Sequence, residues 1–270
     1  MKKKMKQSLL FMMRTFWAFV ALGAMHISVE AQIAGVRPGK GESRNESAAA
    51  ESAQNPKSAA GTSADMYKKV YEMAVKYADM ATAVNAAYYI LAQNPDDVAW
   101  KDTLAGLYFS MQAFPQALQL SSEVLAKQPD NRRMLELQAI AFQAVGDAKS
   151  SLEMYEKLHK LTRSLYHLYQ IAVLQYGLKR VGECEASLDQ IIAAPEAANE
   201  TINITSGSNA RPLRRDVKLK AAALNVKGVL FKDKGDKANA KKLFEEALKI
   251  EPEFELAKNN MEELDKDEKK

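Results

Sequence analysis

From about residue 64 onward, apolar residues return every three to four positions, the period of a helix that buries one stripe and wets the other. Leu224, Gly228 and Phe231 make such a stripe, and Ala240, Phe244 and Ala247 make the next one. Pro95 and Pro129 each close a stretch of this kind and lie 34 residues apart. Proline cannot continue a helix. A unit of that length holds two ordinary helices and their turns, so the pattern predicts a chain of stacked helix pairs.

One stretch breaks the period. Asn199 to Thr205 alternates polar and apolar, Ser206-Gly207-Ser208-Asn209 offers a turn, and Ala210 to Arg215 follows. That order predicts a β-hairpin, with Pro212 restricting the second strand to an edge. A lone hairpin is marginal in water, so it must lean on the helices. Residues 32–63 are Gly, Ser, Ala, Asn, Glu and Lys with few large apolar residues, the composition of a spacer without a core.

Residues 1–31 read as an address. Lys2, Lys3, Lys4, Lys6 and Arg14 precede an apolar run from Thr15 to Met25, and Val29 and Ala31 place small residues before a junction at Gln32. This is the order of a cleaved signal peptide, and the run is short of the ~20 residues that span a bilayer. The Ala31–Gln32 junction resembles those of Bacteroidetes leaders, which implies a periplasmic destination. A leader left uncleaved would instead anchor the chain to a membrane. The expected division is residues 1–31 as leader, 32–63 as spacer, 64–196 as four helix pairs, 197–215 as the hairpin insert, 216–254 as a fifth pair and 255–270 as a polar closing helix.

The fifth pair carries a specific motif. Leu224, Gly228, Phe231, Gly235, Ala240, Phe244, Ala247 and Pro252 stand in the order and spacing of the tetratricopeptide-repeat (TPR) family, which this chain resembles. The same frame places Leu104, Ala105, Tyr108 and Ala117 in the second repeat and Ala139, Phe142, Gly146 and Ser151 in the third. The fourth, with Leu168, Ala172 and Cys184, is degenerate, and the first keeps Val70, Ala83 and Ile90 but has a poor turn. The resemblance implies an all-α helix-turn-helix solenoid of about five repeats, with a short hairpin before the last repeat and a closing helix.

It also implies a function: holding a segment of a partner protein in the concave groove. The groove positions of the family fall here on Phe109, Ile140, Tyr166, Tyr169, Val173, Tyr176, Asn225 and Lys232. Tyrosine suits an interface because it buries much area with few rotors. Packing by the hairpin or spacer is the competing role for these tyrosines. Glu72, Gly106 and Ile140 stand where carboxylate-clamping relatives carry Asn, so a carboxylate terminus is not the expected ligand.

Charge and chemistry narrow this further. The net charge of +4 lies in the leader, since residues 32–270 carry 33 basic and 33 acidic groups. A field for nucleic acid is therefore not expected. Cys184 is the one cysteine, so no internal disulfide forms, and it occupies a small-residue position of its repeat. His159 and His167 have no Ser, Cys or acidic partner at a usable spacing, and no glycine loop follows a strand. The expectation is a protein-binding scaffold without catalysis, cofactor, metal or small-molecule substrate. Anchored by its leader, the same domain would organise a membrane complex, while a hydrolase lacks a nucleophile and base. The Asn-x-Thr triplets at Asn199 and Asn203 read as chance in an exported bacterial chain.

Overall fold

The structure, a computed structural model, describes residues 63–208 and 211–268; the leader, its junction at Gln32 and the spacer up to residue 62 lie outside the described residues. Eight helices come first: α1 (Ser63–Lys76), α2 (Met80–Gln93), α3 (Val98–Ser110), α4 (Phe114–Lys127), α5 (Arg132–Val145), α6 (Ala148–Thr162), α7 (Leu165–Gly177) and α8 (Val181–Ala193). A 3-10 turn (Pro195–Ala198) leads into strands β1 (Thr201–Ser208) and β2 (Arg211–Lys218). Helices α9 (Leu219–Asp233), α10 (Lys237–Ile250) and α11 (Glu255–Glu268) complete the described chain. Each helix packs on the next, and the array is a TPR solenoid.

The turn inside every pair uses one backbone device. Ala78, Gln112, Gly146, Lys179 and Gly235 all have positive φ, between 56° and 87°. The reversal needs one left-handed residue there, and only two of the five are glycine. Ala78 turns the first repeat without glycine, which explains why that turn looked poor as sequence. In three pairs the residue after it is an aspartate, and Asp79, Asp147 and Asp236 each accept the backbone N–H of Thr82, Ser150 or Asn239 as N-caps.

Close packing of each pair rests on small residues facing one another. Ala105 and Ala117, Ala139 and Ser151, Ala172 and Cys184, and Gly228 and Ala240 are buried together along the array. Ser151 donates to the Ala139 carbonyl at 2.8 Å, a distance that brings α6 onto the backbone of α5. At Gly228 the Phe244 ring takes the volume a Cβ would need.

The hairpin is antiparallel, from Thr201 opposite Lys218 to Ser208 opposite Arg211. Leu219 N–H donates to the Glu200 carbonyl at 2.9 Å and closes its base. Strand β2 runs three residues past the expected end at Arg215, so α9 starts at Leu219. The reason is Val217, 1% exposed, whose alternation with the exposed Asp216 puts it into the core opposite Ile202. The hairpin leans on the α10–α11 connection: Arg215 donates to the Glu253 carbonyl at 2.6 Å and Lys218 N–H to Glu251 Oε1 at 3.2 Å. It also contacts α9, and α9 packs on α7 as the preceding first helix. Helix α11 closes the array with Ala257 and Leu264 buried and a polar outer face.

Candidate functional site

The eight expected groove residues lie on the first helices α3, α5, α7 and α9 and separate into three groups. Tyr166, Tyr169, Val173 and Tyr176 form one half-buried stripe along α7. Their spacing follows the helical repeat, so they share a face about three turns long. Ile140 is buried on α5, and Phe109 is half-buried with its ring 5.9 Å from Phe114, edge on. Asn225 and Lys232 are claimed by the closing helix. Asn225 accepts from Asn260 at 2.9 Å and Lys232 pairs with Glu263 at 3.0 Å.

The stripe is held by its neighbours. The Tyr176 hydroxyl donates to Asp233 Oδ2 at 2.5 Å, which ties α7 to α9, and the Lys179 ammonium sits 5.3 Å from its ring centre. Burial, then the Asp233 carboxylate, raises the Tyr176 phenol pKa. Beside this link lies a cavity of about 200 Å³ lined by Tyr176, Lys179, Val181, Leu230, Asp233 and Lys234. Tyr169 is raised by burial and then by Tyr166. Tyr166 has Tyr155 and Gln170 within hydrogen-bonding reach, and burial followed by the Glu136 charge raises its pKa. All three phenols stay protonated at neutral pH, and the Tyr176 proton is already committed to Asp233.

The frame that located these residues also points to three charged groups outside the expected set. Arg133 on α5 pairs with Asp102 on α3 and lies over Gly106, where a side chain would collide with it. Glu136, one turn further along α5, is half-buried on the same face. Asp102 and Glu136 are 34 residues apart, and that repeat spacing was the available signal.

The remaining candidates for chemistry are structural. Cys184 is fully buried, and burial followed by Glu185 pushes its thiol up to about 12. His167 meets Thr162 Oγ1 at 2.9 Å and His159 meets the Ser164 carbonyl at 3.0 Å, so both stitch the α6–α7 connection. Burial, then His159, lowers the His167 pKa. Among the described residues no group of three or more His, Cys, Asp or Glu side chains could hold a metal, and no helix is long and apolar enough to cross a membrane.

No family model matches the chain, and no curated protein matches it. Solved structures do. A structure of MamA aligns at 13% identity and a TM-score of 0.55, over 70% of this chain and 92% of MamA. MamA from Desulfovibrio magneticus RS-1 aligns at 11% identity and 0.54, over 73% and 99%. YrrB, described as a TPR protein with an unusual peptide-binding site, aligns at 12% identity and 0.56, over 72% and 89%. At such identities the likeness is one of architecture, and it agrees with the paired helices, the left-handed turns and the small-residue contacts: this chain has the tetratricopeptide-repeat fold.

Proposed function

We propose that this protein is an exported scaffold that binds a peptide segment of a partner protein on the inner face of α7. The observation behind this reading is the stripe of Tyr166, Tyr169, Val173 and Tyr176, half-buried on a first helix while the hairpin is bonded to the α10–α11 connection. Aromatic rings with polar phenol tips suit an extended segment, which offers apolar side chains and backbone carbonyls together. YrrB, a structural neighbour, is described as having a peptide-binding site, and this supports the same use of the fold here. Export rests on the leader pattern of residues 1–31, and a mature chain starting at Gln32 in the periplasmic fraction checks it. An intact Met1 in the membrane fraction would replace it with the anchored arrangement.

The groove is tested with Tyr169→Ala and a peptide selected on the purified protein from a random display library. Affinity should fall by about 1–3 kcal/mol while the protein stays folded at the assay temperature. If the melting temperature drops and the folded fraction binds with parental affinity, Tyr169 is packing and the groove reading fails.

A further inference from the structure

The repeat frame makes an internal comparison possible. Asp102 on α3 and Glu136 on α5 occupy equivalent places in successive repeats, 34 residues apart. Asp102 has its counter-ion on the following first helix, in Arg133. The residue equivalent to Arg133 one repeat later is Tyr166, on α7. The second acid thus faces a phenol where the first faces a guanidinium. Arg133 does not serve both, because it is turned back over Gly106 toward Asp102 and also donates to the Asp102 carbonyl at 3.3 Å.

Glu136 is half-buried on the inner face, and burial alone raises its carboxyl pKa, with no nearby cation offsetting it among the described residues. Its charge is felt at the phenols of Tyr155 and Tyr166, raising both. A carboxylate withdrawn from water beside aromatic rings gains most from a cation that can both pair with it and lie against a ring. Lysine and arginine side chains meet that description.

We propose that the groove recognises a basic side chain, Lys or Arg, of its partner segment, with the Glu136 carboxylate as the receptor and the Tyr166 ring beside it. The ligand cation takes the place that Arg133 holds for Asp102. This deepens the peptide-binding reading above and rests on it. It also gives the groove a direction of selectivity opposite to that of a carboxylate clamp.

The test is a random dodecapeptide display selection on the purified full chain, run in parallel on Glu136→Gln and Glu136→Lys, with thermal melts to establish that each variant is folded. The parent should enrich peptides containing Lys or Arg. Glu136→Gln should weaken those peptides about tenfold, the loss expected for one charge-assisted contact. Glu136→Lys should shift selection toward Asp and Glu. Enrichment of apolar peptides without basic residues, or unchanged affinity in Glu136→Gln, would overturn the basic-residue inference and leave the groove standing. Recovery of no peptide at all by the parent would overturn the groove reading and the inference with it.

Discussion

Two glycines in helix interiors, Gly106 and Gly228, should respond to the same substitution with different results. Alanine in place of glycine gains about 1 kcal/mol of helix propensity at either site. At Gly228 the new Cβ would stand 2.5 Å from Phe244 Cε1, 2.7 Å from Cδ1 and 3.0 Å from Cζ. Carbon atoms are comfortable at about 3.5 Å. The ring has no exit, since Phe244 is fully buried with Ala240 and Leu264 and packed by Val229, Phe231 and Met261. Either α9 and α10 separate or the ring leaves its rotamer, at the upper end of the roughly 1–3 kcal/mol usual for overpacking. Gly228→Ala should therefore lose about 1–2 kcal/mol net, lowering the melting temperature by about 3–6 °C for an array of this size. At Gly106 the colliding group is the end of Arg133, a flexible side chain that swings out. The cost is the exposed pair with Asp102, about 0–1 kcal/mol, which the propensity gain offsets. Gly106→Ala should melt within about 2 °C of the parent. Calorimetry on both variants decides the matter. Equal melting temperatures would refute the close approach of α9 and α10 at Gly228.

Two further substitutions probe the turns. Gln112→Gly removes a side chain from a left-handed residue (φ 59°), and a gain of about 0.5–1 kcal/mol should appear as a higher urea midpoint. Asp147→Ala removes a cap that accepts from Ser150 N at 3.0 Å and Ser150 Oγ at 2.6 Å, and should lose about 1 kcal/mol at neutral pH. The Ser150 hydroxyl and then the Ser150 N–H hold the Asp147 carboxyl below the usual carboxylate range. For such a depressed acid the stabilisation is complete above the unfolded-state pKa and is lost as pH falls through the folded-state value. The difference in melting temperature between parent and variant should thus shrink below about pH 4, and a constant gap would show that the charge of Asp147 plays no part.

Regular spacing made the architecture readable, because a buried small residue or a terminal proline leaves a mark in residue type. Gly228, Ala240 and Phe244 are placed by spacing alone for that reason. The turns were less legible. A left-handed backbone is a property of φ, and Ala78, Gln112 and Lys179 adopt it with side chains that do not advertise it. In the groove, spacing placed the α7 stripe on one face, but it could not show that Asn260 and Glu263 of the closing helix occupy Asn225 and Lys232. Glu136 went unread for a further reason. A charge on a helix normally means water, and only its comparison with Asp102 and Arg133 reveals a carboxylate without a counter-ion among the described residues.

The hairpin bears on how such arrays evolve. From Lys179 to Gly235 the turn residues are 56 apart instead of 33 or 34, yet α7 still meets α9 through Tyr176 and Asp233. The bond from Leu219 to Glu200 pinches the extra chain off at its root, and α9 still packs on α7 and α8. The array keeps time by helix contacts and not by chain length. A root closed in this way is a socket: segments of other lengths could be grafted above it, lending the solenoid a second appendage without resetting the groove.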